Sequence, residues 1–243
     1  MKGWKNILKI LSIDTASNIC GVSILENDKL ICSLDKNTGR THSENLMPMI
    51  DEIFNKTNLT INDINLIICN IGPGSFTGIR IGVATTKAFS DSLNIPCIGV
   101  NSLESLAYNE KPNLNNGDII FSIIDCKNEN CYYSVYEFND NQYKEIFSPN
   151  SDSIDNLKNL EKEISNKKVI FIGDGVDVYK KQLISIFPKA IFSKNNLLNS
   201  YNLGLCGFNK YNNNNFNEVM PLYLKKPQAQ RQLEAKQLLS NSI

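Results

Sequence analysis

The chain has 243 residues and one histidine, His42. A zinc or iron site needs several nitrogen, sulfur or carboxylate ligands in one place, and no acidic or cysteine cluster lies near His42 in the sequence. The seven cysteines are odd in number, no two have the C-x-x-C spacing, and several lie in apolar stretches such as Leu66–Cys69. We therefore predict reduced core cysteines and no metal site. His42 is expected at the start of a helix.

A glycine-rich loop, Gly72–Gly78, has the look of a phosphate-binding loop. It lacks the Gly-Lys-Ser/Thr ending that a P-loop requires, so it is not one. Ser75 and Thr77 are better helix N-caps than nucleophiles, because no candidate general base lies nearby in the sequence. The loop therefore predicts the beginning of a helix rather than a catalytic centre.

The helix after this loop has small residues where a neighbouring helix could approach closely. Gly74, Gly78 and Gly82 recur every four residues, and small side chains continue to Ala88. The preceding helix has a bulky apolar stripe, while Met47 and Ile81 point away from the stripe that a sheet would cover. We favour a helix–helix interface with a partner protein. Purely internal packing of these two helices remains the alternative. The predicted interface residues are His42, Leu46, Met47, Met49, Ile50, Phe54, Gly74, Phe76, Gly78, Arg80, Ile81, Gly82 and Thr85.

The elements that position these residues follow from short β-branched runs and helical periodicity. The run 64–71 is apolar on both faces, which predicts a buried central strand. A strand over 143–147 and a last helix over 197–211 are also predicted. The order β-β-β-α-β-α-β occurs twice, which predicts an α/β fold of two halves with mixed sheets. The predicted domains are residues 1–110, with the partner-binding helices, and residues 111–243, with the C-terminal tail.

Charge and hydropathy restrict the function classes. Basic and acidic residues balance at 25 each, so the whole chain has no electrostatic reason to bind nucleic acid, although a local patch stays open. Lys225, Lys226, Arg231 and Lys236 make the tail basic, and we favour a solvated helix face there over an RNA or partner contact. No apolar run approaches the roughly 18 residues of a membrane span, and no signal peptide is recognised. A cytoplasmic location is expected.

Several motifs resemble those of the TsaB (YeaZ) family. The most specific is Gly72–Gly82, whose sequence GPGSFTGIRIG is similar to the family's signature loop and helix start. Ile10–Ser17, His42–Pro48 and Ile95–Leu103 match further segments, and Pro221–Lys225 is similar to a terminal Pro-Tyr-Leu-Arg motif. The resemblance is close over roughly residues 7–107. It is weak beyond them, where Asp-Cys-Lys replaces the family's Asp-Ala-Arg.

The resemblance implies an actin-like/sugar-kinase-like fold and a role in making threonylcarbamoyladenosine in tRNA. It implies a non-catalytic dimerisation subunit that binds a TsaD-like catalytic paralogue, with a small TsaE-like ATPase as third component and tRNA contacted only through the complex. No cofactor is required by the chain itself. A homodimer of the isolated chain, and ATP or ADP at the partner interface, stay open.

Two enzymatic alternatives are weighed against this role. In phosphotransferases of the same fold, residues at the positions of Asp14, Thr15 and Ser17 bind metal and phosphate in a glycine-containing hairpin. Here the first turn has Ala16 in place of glycine, and Asp125-Cys126-Lys127 in the second half also lacks glycine. We therefore favour the interpretation that the side chains of the first turn only satisfy its backbone amides. Residual nucleotide binding is the alternative. An ATP-dependent small-molecule kinase is the first of these two alternatives. A metallopeptidase is the other enzymatic alternative, and the single histidine argues against it.

Overall fold

The computed structural model describes residues 7–37, 42–164, 166–214 and 217–225. Two halves follow each other along the chain. The first contains β1 (Lys9–Asp14), β2 (Cys20–Glu26), β3 (Lys29–Lys36), α1 (His42–Thr57), β4 (Leu66–Asn70), α2 (Phe76–Leu93), β5 (Cys97–Val100) and α3 (Ser102–Ala107). The second contains β6 (Ile119–Asp125), β7 (Asn130–Asn139), β8 (Gln142–Ser153), α4 (Lys158–Ile164), β9 (Val169–Ile172), α5 (Gly175–Ile186), β10 (Ile191–Phe192) and α6 (Ser200–Asn212).

The first sheet is mixed and has the strand order β3-β2-β1-β4-β5. β1 is its central strand, antiparallel to β2 and parallel to β4. All five residues of β4 are buried, as expected of a strand whose two faces are both covered by helices. The carboxyl ends of β1, β4 and β5 lie at one edge of the sheet, where the loops to the helices begin.

The second sheet repeats this arrangement with the order β10-β9-β6-β7-β8. β6 takes the place of β1, antiparallel to β7 and parallel to β9. The duplicated order confirms the predicted α/β fold with mixed sheets, of the actin-like/sugar-kinase-like class. β8 is longer than the predicted strand over 143–147, because it pairs with β7 along almost its whole length.

The two faces of the first sheet are covered by helices from different parts of the chain. α1 packs on one face through Leu46, Met49, Ile50 and Ile53. α6 packs on the other, and its residues Leu203 and Cys206 join the core of β1 and β4. This helix comes from the second half of the sequence but packs on the first sheet. The predicted division at residue 110 therefore stays a prediction, and the packing of α6 crosses it.

The observed helix starts test the predicted caps. The Ser75 hydroxyl oxygen accepts a hydrogen bond from the Gly78 amide at 3.2 Å, so Ser75 is the N-cap of α2 as predicted. Thr77 lies inside that helix, and its predicted capping role is wrong. α6 begins at Ser200, three residues after the predicted start, with Asn199 as its cap. In the described ranges, no helix is long and apolar enough to cross a membrane.

Candidate functional site

The carboxylate of Asp14, at the end of β1, is buried in a network that joins three strand ends. Its Oδ1 accepts from the Ala16 amide at 3.0 Å and its Oδ2 accepts from the Asn70 side-chain amide at 3.0 Å. Asn70 Oδ1 in turn accepts from the Gly72 amide and from the Ser102 hydroxyl. Burial raises the pKa of Asp14 to about 6, although these two hydrogen bonds oppose the rise.

The other two side chains with a predicted nucleotide contact are also bonded within the chain. The Thr15 hydroxyl donates to the Gly78 carbonyl at 2.7 Å, and the Ser17 hydroxyl oxygen accepts from the Ile19 amide at 3.1 Å. The turn residues therefore satisfy neighbouring backbone groups, as the favoured interpretation of the sequence expects. Nucleotide binding by Asp14, Thr15 and Ser17 stays a prediction.

The three spaced glycines at the start of α2 pack against this same turn. A Cβ at Gly74 or Gly78 would collide with the carbonyl oxygen of Ala16 or Thr15, and a Cβ at Gly82 would collide with the Thr15 hydroxyl. The glycines therefore let α2 approach the chain's own β1–β2 turn. Gly78 and Gly82 are buried by this packing and Gly74 is half-buried. Their predicted role in a partner interface stays a prediction.

The bulky apolar stripe of α1 is also covered from within the chain. Leu46, Met49 and Ile50 are at most 3% exposed and lie in the core beneath the first sheet. Their side chains are thus used in the chain's own core, and the prediction that they form interface contacts stays a prediction. The periodicity did identify the face of α1 that is covered, but the covering element is β2 and its neighbours.

The remaining predicted residues border the outer surfaces of α1 and α2. Met47 is 45% exposed, Arg80 is exposed, and Phe54, Phe76, Ile81 and Thr85 are half-buried. Thr77, Ala84 and Ala88 are exposed and share one side of α2 with Arg80. We call the surface formed by Met47, Thr77, Arg80, Ile81, Ala84, Thr85 and Ala88 the outer helix face. Whether it binds a partner stays a prediction.

His42 connects α1 to the β1–β2 turn. Its Nε2 lies 2.7 Å from the Ser17 carbonyl oxygen, to which it donates when protonated there. A Cβ at Gly78 would come within 2.9 Å of the imidazole, so the ring is packed against the start of α2. Across the described residues, no group of three or more His, Cys, Asp or Glu side chains is arranged to hold a metal.

The sequence analysis missed an aromatic contact beside the outer helix face. The ring of Tyr223 stacks on Phe76 with 4.9 Å between centroids, and Arg80 Nε donates to the Tyr223 hydroxyl at 2.8 Å. Leu222 is anchored by its amide to the Ile71 carbonyl at 2.8 Å. The match of Pro221–Lys225 to a terminal motif was a signal for this segment, but it did not say which helix the segment covers.

A cleft of about 560 Å³ lies between the two halves. The β1–β2 turn and the start of α2 line one wall, and the end of β6 lines the other, with Asp125, Cys126 and Lys127. Burial raises the pKa of Asp125, but hydrogen bonds from Lys127 and Tyr179 outweigh it and hold that pKa below its ordinary value. Lys127 Nζ lies 2.6 Å from the Asp125 carboxylate.

Comparisons with known proteins agree with this fold. A family model described as TsaD, tRNA N6-adenosine threonylcarbamoyltransferase, matches residues 35–232. Among solved structures, YeaZ from Pseudomonas aeruginosa is similar with a TM-score of 0.70 at 19% identity, over 90% of this chain and 100% of that one. At this identity the structural likeness shows the fold alone.

The relatives by sequence are more specific. The tRNA threonylcarbamoyladenosine biosynthesis protein TsaB of Buchnera aphidicola subsp. Baizongia pistaciae is 33% identical over 191 residues, which are 76% of this chain and 82% of that protein. TsaB of Bacillus subtilis is 28% identical over 176 residues, 72% of this chain and 75% of that protein. The chain therefore belongs to the TsaB (YeaZ) family of tRNA threonylcarbamoyladenosine biosynthesis proteins.

Proposed function

We propose that this protein is a non-catalytic subunit that binds and activates a TsaD-like catalytic paralogue for threonylcarbamoyl transfer to tRNA. The names of its relatives place them in threonylcarbamoyladenosine biosynthesis. The model of the transferase family itself covers residues 35–232, so the proposed partner shares the fold of this chain. A TsaE-like ATPase is the third component in this proposal, and tRNA is contacted through the complex.

The observation that carries the proposal is the outer helix face. Ala84 and Ala88 are exposed on α2, and an exposed face of small side chains lets a second helix pack at short distance. Exposed Met47 supplies apolar area on the adjacent α1, and a methionine side chain adapts to irregular partner surfaces. The glycine stripe is used internally, so this second set of small residues is the one available to a partner.

The arrangement of the turn at Asp14 supports a role without catalysis by this chain. Both carboxylate oxygens accept hydrogen bonds from Ala16 and Asn70. Asp14 is also only 2% exposed, so in this conformation its carboxylate is directed into the chain's own hydrogen-bond network. His42 is committed to the Ser17 carbonyl. ATP or ADP at the partner interface is part of the proposal, and no cofactor is required by this chain alone.

The proposal is tested by size-exclusion chromatography of this chain mixed with the TsaD-like protein of the same genome. We expect a new peak of one-to-one stoichiometry. Ala84→Arg is expected to abolish it, because a long charged side chain on an exposed position blocks close helix approach without entering the core. Ser185→Arg, on the exposed side of α5 in the second half, is the matched control and should leave the complex intact.

Two unshifted peaks would contradict the partner assignment. A complex that survives Ala84→Arg but is lost in Ser185→Arg would keep the partner and reject the outer helix face. The kinase alternative has its own readout, phosphate release from ATP by the isolated chain. Release that is lost in Asp14→Ala would replace the proposed function with that activity.

A further inference from the structure

Cys126 lies directly after β6, in the wall of the cleft, and is half-buried. The Lys225 ammonium donates a hydrogen bond to its sulfur, with 2.8 Å between Nζ and Sγ. The same Nζ lies 5.9 Å from the centre of the Tyr132 ring. A cysteine and a lysine that are 99 positions apart in the sequence are thus brought together at the cleft.

Lys225 is delivered by a segment that the first half holds in place. The Leu222 amide donates to the Ile71 carbonyl at 2.8 Å, and Tyr223 stacks on Phe76. These anchors come two and three residues before Lys225, so the ammonium has a short reach to Cys126. Because these contacts already fix the segment, less backbone entropy is lost when Lys225 reaches the sulfur than in a free chain end.

The other thiols have different surroundings. Burial raises the pKa of Cys20 to about 11 and the pKa values of Cys69 and Cys131 to about 12, so at neutral pH they stay protonated. Burial also raises the pKa of Cys206. Cys32 and Cys97 are half-buried, but in the described parts of the chain neither accepts a hydrogen bond from a lysine.

From this geometry we propose that Cys126 is a modification site, the thiol of this protein that reacts with hydrogen peroxide to form a sulfenic acid. The ammonium of Lys225 stabilises the thiolate, which is the nucleophilic form. The sulfur attacks one peroxide oxygen, the S–O bond forms as the O–O bond breaks, and the leaving hydroxide takes up the proton that the thiol lost. Sulfur is oxidised by two electrons, the peroxide is reduced, and water is the second product.

The cleft gives hydrogen peroxide access to Cys126. The positive charge that stabilises its thiolate comes from Lys225 and not from the neighbouring Lys127. A cleft of about 560 Å³ admits a peroxide easily. Lys127 is adjacent in sequence, but its ammonium is paired with the Asp125 carboxylate at 2.6 Å. The activation is therefore assigned to Lys225, which distinguishes this proposal from general reactivity of a surface thiol. It does not depend on the proposed function, because it concerns the chemistry of the chain alone.

The experiment treats the full-length native chain with limiting hydrogen peroxide and traps sulfenic acid with dimedone. Peptide mass spectrometry then gives the labelling rate at each cysteine. We expect Cys126 to label first, and Lys225→Met to slow it roughly tenfold, as a shift of one pKa unit in the thiolate equilibrium would. Lys225→Arg should retain most of the rate, and Lys127→Met should change it less than about twofold.

Labelling of Cys32 or Cys97 as fast as Cys126 would overturn the proposal. So would a Lys225→Met variant that labels at the wild-type rate, or a Lys225→Arg variant as slow as Lys225→Met. The rate of alkylation by iodoacetamide against pH gives a second readout, whose midpoint is expected to rise in Lys225→Met. An unchanged midpoint would contradict the role of the ammonium.

Discussion

Asp14 and Asp125 end the first strand of each half, at matching places in a duplicated fold. Burial raises the pKa of Asp14 to about 6, and the hydrogen bonds from the Ala16 and Asn70 amide groups offset only part of the rise. The pKa of Asp125 is lowered, because the hydrogen bonds of Lys127 and Tyr179 outweigh its partial burial. Two aspartates at matching positions of the duplicated fold thus have pKa values shifted in opposite directions. The difference teaches that the surroundings, rather than the fold, set the charge at these strand ends.

The turns that follow the two aspartates differ in the same way. After Asp14, the turn is covered by the start of α2, where three glycines allow close contact. After Asp125, residues Lys127, Asn128 and Glu129 all have left-handed backbone with φ of 68°, 57° and 57°, and they are exposed. The first turn also borders the cleft, but its Thr15 and Ala16 are buried against the helix. The second faces the cleft and solvent, so it has more freedom to vary.

The largest expected effect is a difference in stability between alanine substitutions at the starts of α2 and α5. In Gly78→Ala the new Cβ would collide with the Thr15 carbonyl, and we expect a loss of about 3–5 kcal/mol in the free energy of unfolding. In Gly175→Ala, at the matching start of α5, the Cβ would lie 2.9 Å from an Ile123 side-chain carbon. A loss of about 1 kcal/mol is expected there. Urea denaturation measures both, and equal losses would contradict the tighter packing of the first half.

The next effect is the opposite titration of the two carboxylates. Asp14 binds a proton more strongly in the folded state, so its contribution to stability is present at low pH and is lost as pH rises from about 4 through about 6. We expect this to be about 2 kcal/mol between pH 4.5 and 6.5. A ¹³C NMR titration should place the Asp14 carboxyl near pH 6 and Asp125 below its ordinary value. Equal midpoints would remove the contrast.

The smallest expected effect concerns backbone strain. Glu129→Gly should raise the free energy of unfolding by about 0.5 kcal/mol, because glycine accepts left-handed backbone and the strain relieved exceeds its entropic cost. The matched change in the first half, Asn18→Gly, lies outside the residues with positive φ and should destabilise the protein. Thermal denaturation compares them. Stabilisation by Asn18→Gly would show that the two turns do not differ in this respect.

The sequence predicted the duplicated α/β fold well, because β-branched runs and helical stripes are local signals. It could not say what covers each stripe. The four-residue spacing of Gly74, Gly78 and Gly82 marks one face of a helix, but only the structure shows that the Thr15–Ala16 turn occupies it. The stripe with Leu46 and Ile50 was likewise a correct sign of burial, but the periodicity alone did not say that the first sheet covers it.

Contacts between distant segments were beyond the sequence. The packing of α6 on the first sheet depends on where the chain returns after the second half, which no local periodicity records. Tyr223 meets Phe76 and Arg80 across more than 140 positions, and Lys225 meets Cys126 across 99. Lys226, Arg231 and Lys236, part of the predicted basic tail, lie outside the described residues, whereas Lys225 contacts a thiol rather than only solvent.

The central claim is that the first half binds the TsaD-like partner through its outer helix face. Amide hydrogen exchange of this chain, free and mixed with that partner, tests it most directly. We expect slower exchange in α1 and α2, and unchanged exchange in α5, the matching helix of the second half. Slower exchange in α5 together with unchanged exchange in α1 and α2 would contradict the account.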